Sequence, residues 1–193
     1  MDDANLSKLS VKQFIINPAF QKIVTDYSLT VPSSVDSVEI EATTSDTSAS
    51  YFIKYKEKDR NKCNIKEGLN KIIIEVSSED GTIKLYTLNC QRLSASDAFL
   101  SSLSIPLVTV EQAFGKDLFE YDGIAPYSVT SVVVNADVND PKCEIKLVCN
   151  GKEQIKLNGA NLTVELNYGR TNFEIQVKSP DGTKIQVHLF FSI

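Results

Sequence analysis

The sequence predicts an all-β protein that consists of two tandem antiparallel β-sandwiches. Three observations lead to this prediction. The chain repeats one unit, its apolar residues alternate with polar ones at the period of a strand, and tight-turn dipeptides separate these runs. No window keeps the 3.6-residue period of an amphipathic helix. The length of 193 residues suits two small domains, each long enough to bury its own core.

The repeat begins near the start of the chain. Residues 3–10 recur at 97–104, a shift of 94 positions, and the same shift places Tyr27 on Tyr121. Seven residues are inserted later, after which the shift is 101. An internal duplication of this kind sets the fold before any local pattern is considered.

The duplication divides the chain into two domains and a linker. We expect the first β-sandwich at residues 1–92 and the second at 97–193. Residues 93–96, a short polar link, are too few to let the two copies tumble freely.

Strands and turns follow from the local pattern in each copy. Residues 38–42, 143–147 and 173–177 alternate apolar and polar side chains, which places one face inward and one outward. Dipeptides that accept positive φ predict tight turns. These are Asp80-Gly81, Asn150-Gly151, Asn158-Gly159 and Asp181-Gly182.

At these positions the sequence resembles the cadherin-like β-sandwich domain family. The resemblance covers both copies and rests on motifs in the same order in each: Leu6 and Leu9 with Leu100 and Leu103, Phe20 with Phe114, Asp26-Tyr27 with Glu120-Tyr121, and a closing Ser-x-Asp-Gly-Thr. In two places the second copy departs from the pattern. Tyr86 of the last strand aligns with Val187, and Pro106 interrupts the first strand of the second copy. The resemblance implies immunoglobulin-like, non-catalytic modules.

The composition and charge of the chain argue against some classes of partner and location. The formal net charge of −5 repels phosphate backbones, so nucleic acid is not expected as a partner. No apolar run reaches the ~18–20 residues that cross a bilayer, and the acidic start does not look like a secretory signal. With no tryptophan and Met1 as its only methionine, the chain is expected to be a segment of a larger protein.

Calcium is considered because residues 137–141, Asp-Val-Asn-Asp-Pro, look like the acidic motif of calcium-binding cadherins. This segment aligns with residues 43–47 inside the first copy and not with the linker, and the first copy keeps only Asp46. We therefore favour a polar turn over a cation site and expect no cofactor.

The four cysteines are expected to be free and buried. Cys143 and Cys149 share a face of one strand but lie six residues, or roughly 20 Å, apart, beyond the ~7 Å that a disulfide spans. Cys90 aligns with Phe191, a position that accepts a large apolar side chain. A bridge between Cys63 and Cys90 is the alternative. Free thiols favour a reducing compartment, whereas the family resemblance favours the cell surface, so the localisation stays open.

Catalysis finds little support in the sequence. His188, the single histidine, aligns with Thr87 on the expected outward face of the last strand, and there is no Gly-x-Ser-x-Gly motif or phosphate-binding glycine loop. We expect His188 to be a surface residue and the protein not to be an enzyme. A hydrolase is the third choice among the functions.

Two groups of residues are candidate binding surfaces. The basic segment, residues 54–62, holds five basic and two acidic residues, among them Lys54, Lys56, Lys58 and Arg60. It could attract an acidic partner, but we favour a solvated edge that lysines protect from aggregation.

The second candidate surface is aromatic. Phe119, Tyr121 and Tyr127 flank a turn, and we favour core packing for all three. If Phe119 and Tyr127 are exposed together, they predict an interface anchor or a sugar platform.

The sequence therefore predicts a non-catalytic interaction or spacer segment that presents loops and edge strands to a protein partner. A carbohydrate-binding β-sandwich is the alternative, for which exposed, coplanar aromatic side chains would be required. The oligomeric state is expected to be a monomer or a weak self-associate, because an uncovered sheet edge can pair with its own kind.

Overall fold

The computed structural model describes residues 3–56, 58–157 and 160–192, and every regular element in these ranges is a β-strand. The all-β prediction is confirmed. The chain splits into two compact units, Met1–Ser94 and Ala95–Ile193. One predicted turn, Asn158-Gly159, lies outside the described residues.

The first unit is a sandwich of two four-stranded sheets with the orders β1-β3-β6-β5 and β2-β8-β7-β4. Among the described strands of this unit only β2 and β8 pair in parallel, and β1 and β2 lie in opposite sheets. The strands are β1 (Leu6–Val11), β2 (Asp26–Val31), β3 (Ser37–Thr44), β4 (Ser50–Lys54), β5 (Lys58–Asp59), β6 (Lys62–Asn64), β7 (Gly68–Ser77) and β8 (Ile83–Arg92).

The second unit repeats this plan with a six-stranded sheet, β10-β11-β17-β16-β13-β14, facing a three-stranded sheet, β15-β12-β9. Again one pair, β11 and β17, is parallel. β9 ends two residues before Pro106, as that proline predicts. The strands are β9 (Leu100–Ser104), β10 (Thr109–Val110), β11 (Glu120–Ile124), β12 (Ser131–Val138), β13 (Glu144–Cys149), β14 (Lys152–Leu157), β15 (Ala160–Glu165), β16 (Thr171–Lys178) and β17 (Ile185–Ser192).

Each unit has its own apolar core, and a tyrosine at the same position of the repeat, Tyr27 or Tyr121, is buried in each. The Tyr27 hydroxyl lies 2.8 Å from the carbonyl oxygen of Gln21 and 2.9 Å from that of Val24. The Tyr121 hydroxyl makes the same pair of contacts, to the carbonyls of the residues six and three positions earlier, at 3.3 and 3.0 Å. The repeat therefore extends from the sequence to individual hydrogen bonds.

The predicted turns form where positive φ is needed. Asn150 and Gly151 adopt φ of 50° and 74° and join β13 directly to β14. Gly81 and Gly182 adopt φ of 87° and 75° in the two equivalent hairpins. Three of the four predicted dipeptides are thus confirmed.

The inserted residues change one side of the second unit. In the first unit the described residues between β4 and β7 form the short β5–β6 hairpin, in which β6 is the one strand that pairs with β5. In the second unit the same stretch forms the longer strands β14 and β15, and β14 pairs along all of β13. Because β4 and β13 are equivalent strands, one unit covers this sheet edge and the other leaves it uncovered among the described residues.

The sequence alignment of the last strand is wrong by one residue. Ile74 pairs with Tyr86 in the first unit, and its equivalent Ile175 pairs with His188 in the second. The hairpin loop before the last strand is one residue longer in the second unit, which moves every later residue by one position. His188, and not Val187, therefore replaces Tyr86. By the same shift Cys90 is equivalent to Ser192 and not to Phe191.

Candidate binding surfaces

The basic segment connects the edge strands of the two sheets of the first unit. It starts at the end of β4 and continues through β5 to the start of β6, and the Lys58 side chain of β5 reaches Phe52 of β4. All four predicted residues, Lys54, Lys56, Lys58 and Arg60, are at least partly exposed. The structure thus places the predicted basic side chains on one margin of one sandwich.

These four side chains differ in what they contact. Lys54 forms an ion pair with Glu75 of the neighbouring strand β7. The Lys58 ammonium lies 3.5 Å from the centroid of the Phe52 ring, which is itself exposed on β4. Lys56 and Arg60 are exposed and have no ion pair with a residue that the structure describes. Positive charge therefore stands beside the β4 edge without full neutralisation.

The predicted aromatic group does not form one surface. Tyr121 is in the core, as expected, and stacks on Phe190 with 4.9 Å between ring centroids. Core packing is wrong for the other two, because Phe119 is 41% exposed and Tyr127 is 85% exposed. Phe119 precedes β11 and Tyr127 follows it, so about 16 Å of strand separates them. The interface anchor or sugar platform that the sequence associates with this pair stays a prediction.

Tyr127 has a different aromatic partner, Tyr168, which no motif of the sequence marks. The two rings stack with centroids 5.1 Å apart, and Tyr168 is 79% exposed. They line an open groove of about 250 Å³ at one end of the second unit, together with Thr130, Leu166 and Asn167 among others. We call this site the tyrosine groove.

The repeat could have revealed the tyrosine groove. Tyr127 and Tyr168 occupy the positions of Ser33 and Glu67 in the first unit, so two polar positions of the first unit carry tyrosine in the second. In the first unit Arg92 joins these loops instead, with its guanidinium 2.7 Å from the carbonyl oxygen of Ser33 and 3.0 Å from that of Ile65. A side-by-side comparison of the copies carries this signal, whereas a motif search does not.

The acidic stretch at residues 137–141 covers the end of β12 and the polar turn that follows it. One carboxylate oxygen of Asp140 accepts a hydrogen bond from the Lys142 backbone at 2.9 Å, and Asp46 accepts the equivalent bond from Ser48 at 2.7 Å. Asp140 is fully buried, and the Asp137 carboxylate accepts a hydrogen bond of 2.6 Å from the Ser102 hydroxyl. In the described ranges no cluster of three histidine, cysteine or acidic residues is arranged to hold a metal ion.

The four cysteines are free and buried, as predicted, and Cys63 and Cys90 are not bridged. Burial raises the pKa of Cys63, Cys90 and Cys143 to about 11 and also raises that of Cys149. A thiol with so high a pKa is almost entirely protonated near neutral pH and is a poor nucleophile.

The prediction that His188 lies on the surface is wrong, because its side chain is fully buried. Nδ1 lies 3.0 Å from the carbonyl oxygen of Leu118, whereas Nε2 has no hydrogen-bond partner. Burial lowers the pKa of the imidazole below its ordinary value of 6.5. A ring enclosed in this way cannot contact a substrate, so His188 is a core residue.

No helix long and apolar enough to cross a membrane occurs in the part of the chain that the structure describes. A protein of Evansella cellulosilytica named "Putative membrane protein" is 30% identical over 95 residues, which are 47% of this chain and 14% of that protein. The chain thus spans about one seventh of this curated relative.

Solved structures that align with the chain include two with several domains in tandem. Immunoglobulin domains 1–4 of Sidekick-1 align with 95% of this chain and 51% of their own at 11% identity, with a TM-score of 0.29. Domains EC1–4 of Drosophila N-cadherin align with 87% of this chain and 47% of their own at 12% identity, with a TM-score of 0.29. At these scores the likeness carries no functional information.

A family model settles the classification. The model described as "Cadherin-like beta sandwich domain" matches residues 6–93 and 100–188, one match for each unit. Domains of this family are generally non-catalytic. The chain belongs to the cadherin-like β-sandwich domain family, which it contains in two tandem copies.

Proposed function

We propose that this chain is a non-catalytic interaction module that binds an acidic protein partner through the basic segment of its first unit. The observation that carries the proposal is the unneutralised positive charge of Lys56 and Arg60 beside an uncovered sheet edge. In a protein of net charge −5, this local excess of positive charge favours one orientation of approach for an acidic partner.

The sandwich supplies a rigid support for this surface. Ile53 of β4 is buried in the first core between exposed neighbours, so the strand that precedes the basic segment is fixed by packing. Cys63 of β6 is fully buried at the other end of the segment. Binding therefore requires little ordering of the flanking backbone, which lowers the entropic cost of association.

A binding measurement with labelled poly-glutamate tests the proposal. We expect binding at low ionic strength that weakens with added salt, and a dissociation constant at least about tenfold higher for the double variant Lys56→Glu/Arg60→Glu. The double variant Lys156→Glu/Lys178→Glu changes the net charge by the same amount in the second unit and should bind like the parent protein.

Two outcomes would contradict the proposal. Equal weakening by both double variants would show that only net charge matters. Equally tight binding of a single-stranded oligonucleotide through the same residues would assign the surface to phosphates in general and not to acidic protein.

The tyrosine groove favours a second candidate function, binding of a saccharide. Tyr127 and Tyr168 each keep one ring face open to solvent, and the C–H face of a pyranose ring stacks on such a surface. Thr130 and Asn167 line the same groove and can hydrogen-bond to sugar hydroxyls.

Tyrosine fluorescence tests this second candidate, because the chain contains no tryptophan that would mask it. We expect β-linked hexopyranose oligosaccharides to change the emission of the parent protein and to lose at least about tenfold in affinity with Tyr127→Ala or Tyr168→Ala. Phe119→Ala removes an exposed aromatic ring outside the groove and serves as the control. Saccharide binding that survives both tyrosine substitutions would remove the groove from consideration.

A further inference from the structure

We infer that the acidic partner binds by adding a β-strand to the outer edge of β4, antiparallel to it, in the place that β14 fills in the second unit. This inference rests on the proposed function and specifies its geometry. It commits to an extended acidic segment of another protein as the occupant.

The second unit provides the template. β4 and β13 are equivalent, since Ile53 pairs with Ile74 and Leu147 pairs with the equivalent Ile175. β13 pairs on its other side with β14 over its whole length. In the first unit the corresponding residues turn back to pair with β6, which leaves β4 as the end strand of its sheet among the described residues. The sheet edge that is uncovered at β4 in the first unit therefore accepts a strand, β14, in the second.

An uncovered edge presents backbone donors and acceptors that an extended chain can satisfy. Strand addition uses these groups for affinity, and alternate side chains then determine specificity. β4 is five residues long and alternates exposed and more buried positions, so an added strand would meet Phe52 on one face.

The charges around β4 select an acidic strand. In the second unit the Lys146 ammonium on β13 pairs with Glu153 on β14 at 2.6 Å, an ion pair between the edge and its covering strand. Lys146 is equivalent to Phe52, and in the first unit the positive charge at this point is the Lys58 ammonium held over the Phe52 ring. A glutamate on the incoming strand can occupy the place that Glu153 has in the second unit.

A second copy of this chain is the less favoured occupant. An antiparallel pairing of β4 with the β4 of another copy, centred on Phe52, would bring together the two Lys58 ammoniums that lie over the Phe52 rings. Like charges across a strand pair are destabilising. The lysines thus oppose self-association while they attract acidic strands.

The test uses the full chain and two peptides of the same charge. The first alternates glutamate and valine and is long enough to pair with all of β4. The second is the same peptide N-methylated at every second residue, which keeps the charge and removes the donors that a strand needs. We expect the first peptide to bind at least about tenfold more tightly than the second and to shift the amide resonances of residues 50–54 in NMR spectra, more than those of β2 at the opposite edge.

The outcomes separate this inference from the proposed function. Equal binding of the two peptides would overturn strand addition but leave an acidic partner in place. Failure of both peptides and of poly-glutamate would overturn both proposals. Concentration-dependent shifts of residues 50–54 without any peptide, together with a dimer in sedimentation, would assign the edge to a second copy and overturn the inference.

Discussion

His188 occupies in the second unit the position that Tyr86 occupies in the first. The Tyr86 hydroxyl accepts a hydrogen bond from the Leu6 backbone at 3.1 Å and donates to the Lys22 carbonyl oxygen at 3.1 Å. His188 keeps only one contact of this kind, from Nδ1 to the carbonyl oxygen of Leu118, and leaves Nε2 without a partner. The hydroxyl of the tyrosine is fully hydrogen-bonded at this buried position, whereas only one of the two ring nitrogens of the histidine is.

We therefore expect the stability of the second unit to depend on pH. The unfolded chain takes up a proton on His188 below about pH 6.5, whereas the folded unit resists it because its pKa is lowered by burial. Above pH 6.5 the histidine therefore contributes no pH dependence. Below it we expect the free energy of unfolding of the second unit to fall, by at most about 1.4 kcal/mol per pH unit until the folded pKa is reached.

Hydrogen exchange of the β17 amides measures this effect, with the β8 amides as the internal control. His188 is the only histidine, so a transition between about pH 5 and 7 is attributable to it. The variant His188→Leu should abolish the difference between the two strands. A folded-state pKa at or above 6.5, measured from the imidazole resonances, would contradict the prediction.

The sequence predicts the fold well because its signals are local and are present twice. Alternation marks the strands, and the Asp-Gly and Asn-Gly pairs mark the turns. The predicted exposure of His188 is wrong for a physical reason. Side chains along a strand alternate between the two faces of the sheet, so a one-residue error in alignment moves each of them to the opposite face. An extra residue in a hairpin loop is invisible in the alternating pattern on either side.

The candidate sites are predicted less completely, because they depend on contacts between distant segments. The basic segment is visible in the sequence as a run of charges, but the uncovered edge beside it depends on where the inserted residues pair. Tyr127 and Tyr168 lie 41 positions apart, and only the fold brings their loops together. Neither feature has a periodic signal.

The repeated tyrosine contact predicts similar effects in both units. Tyr27→Phe and Tyr121→Phe each remove a hydroxyl whose single proton lies between two backbone carbonyl oxygens. We expect each variant to lower the free energy of unfolding of its own unit by about 1–2 kcal/mol, measured by urea unfolding. The unit that is not substituted is the control in each experiment. If only one of the two variants loses stability, the shared hydrogen-bond geometry contributes a different free energy in each unit.

Arg92 is expected to stabilise the first unit through the loops that it joins. Arg92→Ala removes the guanidinium contacts to the carbonyls of Ser33 and Ile65, and we expect urea unfolding to show a loss of about 2–4 kcal/mol in that unit. Asp36 also contacts Arg92 at 2.7 Å but is largely exposed, so Asp36→Asn should cost less than about 1 kcal/mol. Equal losses for the two variants would show that the ion pair, and not the carbonyl contacts, holds the loops.

The cysteines give a prediction that also bears on the compartment in which the protein works. All four thiols are buried, and burial raises the pKa of three of them to about 11, so we expect almost no reaction with a thiol reagent near neutral pH in the folded protein. Unfolding without reductant should expose four reactive thiols. Two or fewer would mean that a disulfide, such as one between Cys63 and Cys90, forms in the isolated protein. Four reactive thiols in protein purified from its native source would favour a reducing compartment. In an oxidising compartment, thiols that are still exposed during folding tend to form disulfides.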